Sequence, residues 1–145
     1  MDTTPPETSG ESFATVTIGG ETFDFAPTGF VAERCDSDFF GGFWVLFTSG
    51  VTIVLPGDDW AAQGIDESAM VEANIEEQDL EWFADAGADP YGFAAGQSQV
   101  DSYVIDGNRA SGTATFVERN ATYAALGGGD AVVPVTGTFE AFCDG

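Results

Sequence analysis

The 145-residue chain contains no lysine and no histidine, and its only basic side chains are three arginines. Against them stand 25 aspartate and glutamate residues, which give a net charge of −22. Binding to nucleic acid or to anionic lipid depends on lysine and arginine, so we expect neither ligand. The missing histidine excludes Ser-His-Asp and Cys-His catalysis and the usual transition-metal sites. A glycosidase could still use paired carboxylates, but no cleft is visible in the sequence, and we predict that the chain is not an enzyme.

Long apolar runs are also missing. None approaches the roughly 18 residues that span a membrane, and no basic segment followed by an apolar one opens the chain, so we expect no transmembrane segment. The 43% of hydrophobic residues, including 13 phenylalanines, is enough to form a core. Residues 1–11 have no apolar residue after Met1 and are rich in Thr, Pro, Ser and Glu. We predict a disordered tether over 1–11, with a frayed terminus as the alternative, and a single β domain over 12–145.

Cysteine occurs only twice, at Cys35 and Cys143. A nucleophilic cysteine needs a histidine, a lysine or a helix N-terminus to lower its pKa, so a structural disulfide is the better interpretation. Closing so long a loop would stabilise the fold by about 4 to 5 kcal/mol. Because disulfides persist outside the reducing cytoplasm, we predict a Cys35–Cys143 bond and an extracytoplasmic location, at the cell surface or secreted. This location assumes that a signal segment has been removed.

Alternation of apolar and polar residues predicts an antiparallel all-β fold, either a β-sandwich or a β-roll built from hairpins. Two alternating segments, 14–18 and 21–25, flank Gly19-Gly20. A two-residue turn at the glycines would pair Ile18 with Glu21 and place the apolar side chains of both strands on one face.

Further strands follow along the chain. Residues 29–35 read as a third strand and 36–38 as a loop, while 43–48 and 51–55 form a second hairpin that is apolar on both faces. We assign Phe43, Trp44 and Phe47 in this hairpin to the core. The final strand is predicted over 132–143.

A third hairpin turns at residues 106–108. With a three-residue turn, Val104 pairs with Ala110 and Val100 pairs with Ala114.

Residues 58–90 hold eleven carboxylates and no basic residue. Alternation over 69–75 and 80–84 predicts two paired strands. The many Ala, Met, Glu and Gln residues instead favour one short helix between 58 and 86. We favour the strands, because the surrounding pattern is all β.

Aromatic and acidic side chains in this segment are the candidates for binding. Loops on a rigid scaffold usually carry the binding residues, so we expect residues 58–89 to hold the specific function. Trp60, Trp82, Phe83 and Tyr91 form the candidate surface for a cationic or apolar ligand, with packing in the core as the favoured alternative for each of them. Calcium is the one cofactor considered, with candidate ligands at Asp36, Asp38, Asp58 and Asp59 that do not match the spacing of an EF-hand. The alternative explanation of the acidity is solubility in a saline medium.

Four short motifs carry a family resemblance. These are Val16-Thr-Ile-Gly-Gly20, a cysteine about fifteen residues later, the Ser111-Gly-Thr-Ala-Thr115 run and the closing Gly137-Thr-Phe-Glu-Ala-Phe-Cys143. With them the chain resembles the LpqH-type small lipoprotein antigens of actinobacteria.

The resemblance implies a surface-exposed β domain on a lipid-anchored tether, with Cys35 and Cys143 in place of the family's disulfide pair and no catalytic residues. The lipidated cysteine of the family is missing, so an anchor would lie outside this chain, and the acidic middle segment departs from the family.

These observations together predict a non-enzymatic, extracytoplasmic surface or interaction domain of the cell envelope that binds a protein partner. One alternative is a carrier that holds an apolar ligand between its sheets, as the many phenylalanines allow. Another is a Ca²⁺-binding surface module.

Overall fold

The structure is a computed structural model that describes residues 12–65, 68–85, 98–120, 128 and 133–143. The predicted tether over 1–11 lies outside these residues. Among the described residues, no helix has the length and hydrophobicity to cross a membrane.

In the described part of the chain, ten antiparallel strands form one sheet that curls on itself, which confirms the predicted fold class. They are β1 (Phe13–Ile18), β2 (Glu21–Phe25), β3 (Arg34–Phe39), β4 (Gly42–Phe47), β5 (Val51–Leu55), β6 (Met70–Ile75), β7 (Leu80–Asp85), β8 (Gln99–Asp106), β9 (Arg109–Glu118) and β10 (Val135–Phe142). The order across the sheet is β2-β1-β10-β9-β7-β6-β5-β4-β3. The sheet has two halves, one formed by β1, β2, β8, β9 and β10 and the other by β3 to β7. Strand β9 joins them, because most of it pairs with β8 and its last two residues pair with β7.

Hairpin registers follow from the turns. Gly19 and Gly20 both have positive φ, and Ile18 pairs with Glu21 as predicted. The prediction of a three-residue turn at 106–108 is wrong, because Asp106 pairs with Arg109 and leaves a two-residue turn. An irregularity between Val100 and Ser102 then shifts the register by one residue and restores the predicted pairing of Val100 with Ala114.

The third strand was predicted too early in the chain. Residues 36–38, expected to be a loop, belong to β3, because Asp36 pairs with Trp44 in β4 and its carboxylate contacts Arg34. Residues 28–33 form a loop instead, in which the Glu33 carboxylate accepts hydrogen bonds from the backbone of Thr28, Gly29 and Thr48. Partial burial raises the pKa of Glu33, but these N–H donors and the Thr48 hydroxyl outweigh it and lower the pKa from 4.5 to about 2.

The acidic middle segment contains strands, as we favoured. Strands β6 and β7 pair with each other from Ile75 and Leu80 outwards. The described residues between 58 and 85 contain two single 3-10 turns, Ala61–Gln63 and Glu76–Gln78, and no longer helix.

Both halves of the curled sheet fill one core. Phe43, Phe47 and Ile53 enter it from one half, and Val16 and Phe116 enter it from the other. Packing is close enough that a Cβ added at Gly112 would lie 2.6 Å from the Phe139 ring.

The predicted disulfide is confirmed. Cys35 on β3 is bonded to Cys143, which follows β10, with their Cα atoms 5.3 Å apart. The bond therefore ties the outermost strand of one half to the last strand of the other.

Candidate functional site

The turn between β3 and β4 presents an aromatic side chain at an unusual backbone conformation. Phe39 pairs with Gly42, so Phe40 and Gly41 form a two-residue turn with φ of 52° and 80°. Such turns favour Asn or Gly at their first position, because the left-handed conformation costs other residues about 1 to 2 kcal/mol. Phe40 is nevertheless there and is 44% exposed. A bulky residue at positive φ in a turn calls for a reason beyond the turn itself.

Glycines and a tyrosine hold this turn in place. A Cβ at Gly57 would lie 2.3 Å from the Gly41 carbonyl carbon, so the chain at 57 packs directly on the turn. The Tyr103 hydroxyl donates a hydrogen bond to the Pro56 carbonyl at 2.8 Å. Burial, followed by the charge of Asp58, raises the pKa of Tyr103, which keeps its hydroxyl protonated as a donor. The turn is therefore a supported element rather than a free loop.

Trp60 packs beneath the turn. It is only 2% exposed, and its indole Nε1 donates a 2.6 Å hydrogen bond to the Phe39 carbonyl. Its ring lies 5.7 Å from that of Phe39 and 5.9 Å from that of Trp44, centroid to centroid. Gly42 makes this approach possible, since a Cβ there would come within 2.6 Å of the indole nitrogen.

Arg34 adds a cation to these rings. Its guanidinium carbon lies 4.5 Å from the centroid of Trp44 and 4.9 Å from that of Phe39. Its Nε also donates to the Asp36 carboxylate at 2.8 Å, so the guanidinium is held in a fixed orientation. Cation–π contacts at partly exposed sites contribute about 0.5 to 1 kcal/mol each. We call Arg34, Phe39, Phe40, Trp44 and Trp60 the Phe40 patch.

No protein-family model, curated protein or solved structure matches this chain. The resemblance to LpqH-type lipoproteins therefore stays a prediction that rests on short sequence motifs.

The predicted aromatic binding residues separate in the structure. Trp60 was a candidate for the binding surface with core packing as the favoured alternative, and it is buried because the 3-10 turn after it folds its indole against β3 and β4. Trp82 is half-buried on the inner face of β7 and packs against the core. Tyr91 lies outside the described residues. Of the described part of segment 58–89, Trp60 thus supports the Phe40 patch while Trp82 supports the core.

Phe83 is half-buried on the outer face of β7, opposite Glu72 of β6. Burial, followed by the charges of Glu81 and Asp85, raises the pKa of Glu72. Arg119 offsets part of this negative charge through its ion pair with Glu81.

The predicted calcium ligands do not converge. The Asp36 carboxylate forms an ion pair with Arg34, and Asp38 is exposed near the end of β3. Asp58 and Asp59 are exposed in the turn before Trp60. Across the described residues, no group of three or more carboxylates is arranged to hold a metal ion.

Sequence reasoning missed most of the Phe40 patch. Trp44 was assigned to the core with its neighbours, but it lies on the outer face of β4, opposite Phe43 and Val45. Arg34, Phe39 and Phe40 were not singled out. The available signal was the Phe39-Phe40-Gly41-Gly42 sequence, in which an aromatic residue precedes a turn glycine where Asn or Gly is usual.

Proposed function

We propose that this chain is a non-enzymatic, extracytoplasmic interaction domain of the cell envelope that binds a partner protein through the Phe40 patch. The observation that carries the proposal is Phe40, an exposed aromatic side chain kept at a turn position whose backbone conformation it disfavours. Stability and function commonly oppose each other at binding sites, so a residue that disfavours the turn is best explained by what it contacts.

The composition of the patch supports protein recognition. Trp, Phe and Arg are enriched at protein interfaces, and Trp and Arg are also enriched among the few residues that supply most of the affinity. Arg34 is already stacked on two rings, and Trp60 anchors the turn from below. A partner would thus meet a surface that needs little further ordering.

The disulfide supports the extracytoplasmic location, because such bonds are rare in the reducing cytoplasm and common in exported domains. A lipid anchor, as in the resembling lipoproteins, is part of this proposal and would belong to a segment outside this chain.

The packing does not favour the carrier alternative. Large side chains such as Phe43, Phe47 and Phe116 are fully buried and fill the space between the two halves of the sheet. Three concavities lined by described residues, of about 350, 540 and 580 Å³, open to the surface and have polar residues among their lining. An apolar ligand site is normally enclosed and mostly hydrophobic.

Site-specific photo-crosslinking tests this proposal. A photoreactive amino acid is placed at position 40 in the chain expressed in its own cells, and at position 104 as the control. Val104 is 66% exposed on β8 and lies outside the Phe40 patch, so the control is at least as accessible. We expect a covalent adduct of one discrete mass from position 40 alone. No adduct at position 40, or the same adducts from both positions, would refute the proposal.

A further inference from the structure

A second surface, which shares no residue with the Phe40 patch, has the features of a peptide-binding edge. Strand β2 is the last strand in the order of the sheet, with β1 on one side and no strand among the described residues on the other. Edge strands of this kind are templates for the pairing of a further strand.

The hairpin register defines which backbone groups are free. The two-residue turn is closed by the pair Ile18 and Glu21, and every second pair after it exchanges hydrogen bonds between the strands. The N–H and C=O groups of Thr22 and Asp24 therefore point away from β1. Within the described part of the chain, no hydrogen bond to these four groups is present. An added strand would satisfy them.

A groove of about 580 Å³ runs along this edge. Its lining includes the four consecutive residues 22–25, which alternate between the two faces of the strand, so the groove must follow the strand edge itself. The opposite wall comes from Ser49, Asn74, Ile75, Glu76 and Glu77. Hydrogen bonds from the Gln78 amide to the Glu21 carboxylate and from the Ser49 hydroxyl to the Ala26 carbonyl join this wall to the two ends of β2. At about 3.3 Å per residue, an edge of this length accommodates four to five residues of extended chain.

The charges around the groove select the ligand. Asp24 lies on one wall, and Glu76 and Glu77 lie on the other. The whole chain carries a net charge of −22, so an acidic segment would be repelled over its full approach. Two β2 edges from two copies would bring like charges together, which disfavours self-pairing.

We propose that β2 binds an extended, lysine- or arginine-rich segment of another protein as an added strand. Backbone hydrogen bonds to Thr22 and Asp24 would supply the pairing, and Asp24, Glu76 and Glu77 would contact alternate basic side chains. This mode of recognition gains affinity from main-chain bonds and specificity from alternate side chains. The inference does not depend on the Phe40 patch.

The test uses a synthetic peptide of alternating lysine and valine, eight residues long, titrated calorimetrically into the full chain at about 0.15 M salt. Two further peptides have the same sequence. One carries N-methyl groups on the backbone amides of its lysines, and the other carries them on the backbone amides of its valines. We expect saturable binding by the unmodified peptide, and a dissociation constant at least tenfold higher for one of the two methylated peptides. Equal binding by all three peptides would identify simple ion exchange and refute strand addition.

Two matched variants locate the site. The first combines Asp24→Asn, Glu76→Gln and Glu77→Gln, and the second combines Asp38→Asn, Asp59→Asn and Asp106→Asn. Both remove three charges, and the second set lies at exposed positions outside the groove lining. We expect the first variant to lose at least tenfold in affinity and the second to lose much less. Equal losses, no binding up to about 1 mM peptide, or dimerisation of the free chain through β2 would each overturn the proposal.

Discussion

Reducing the disulfide should remove a large part of the stability of this chain. Cys35 and Cys143 are 108 residues apart, and their bond closes a loop that contains strands β4 to β10. The chain-entropy relation for a loop of this length gives about 16 cal/mol/K, which corresponds to about 5 kcal/mol at 25 °C. Single domains are stable by about 5 to 15 kcal/mol in total. We therefore expect the reduced chain to lose between about a third and all of its stability.

The measurement is urea unfolding of the same protein with and without reductant, followed by tryptophan fluorescence. A Cys35→Ala/Cys143→Ala double variant, measured without reductant, controls for effects of the reductant itself and should match the reduced chain within about 1 kcal/mol. A loss below about 1 kcal/mol would refute the reasoning, since it would mean that the unfolded chain is hardly restricted by the bond or that the bond strains the folded sheet.

Three further outcomes are expected. The thermal midpoint should rise between low salt and about 1 M salt, because screening relieves the repulsion among 25 carboxylates. A midpoint that calorimetry finds unchanged across this range of salt would contradict the prediction. The folded-state pKa of Glu33, about 2, lies below its usual value of 4.5, so its contribution to stability is present above pH 4.5 and is lost as the pH falls towards 2. Urea midpoints against pH should therefore fall less steeply in Glu33→Gln than in the parent chain, and parallel curves would disprove the role of this carboxylate. Gly112→Ala should destabilise by about 1 to 3 kcal/mol, because its Cβ would meet the Ser102 carbonyl at 2.2 Å, and an unchanged unfolding midpoint would show that the strands can separate there.

Much of the fold could be predicted because local rules decide it. Gly19 and Gly20 leave one turn geometry available, and the register of β1 and β2 follows from it. The turn after Asp106 was misjudged because the compensating irregularity near Val100 leaves no signal in the alternation. Strand β3 was misplaced because its polar residues are held by pairing with β4 and by the contact between Asp36 and Arg34, which the alternation of apolar and polar residues does not show.

The candidate site was much harder to predict. Alternation separates Phe43 from Trp44 but does not say which of the two faces the core. Trp60 was a surface candidate because it flanks the acidic segment, and the sequence does not show that the glycine at position 42 opens the space that buries it. The positive φ of Phe40 depends on the pairing of its neighbours Phe39 and Gly42, which the predicted strand boundaries excluded.

The unfolding free energy of Phe40→Asn tests the central claim most directly, because it needs no partner. Asn tolerates the left-handed turn position, and relief of the backbone should offset the lost contact with the Phe39 ring, each worth about 1 kcal/mol. If Phe40 serves binding rather than folding, the variant should stay within about 1 kcal/mol of the parent chain, whereas Trp60→Ala should lose about 3 to 5 kcal/mol. A loss above about 2 kcal/mol in Phe40→Asn would show that this side chain stabilises the fold, and would contradict the proposed interaction surface.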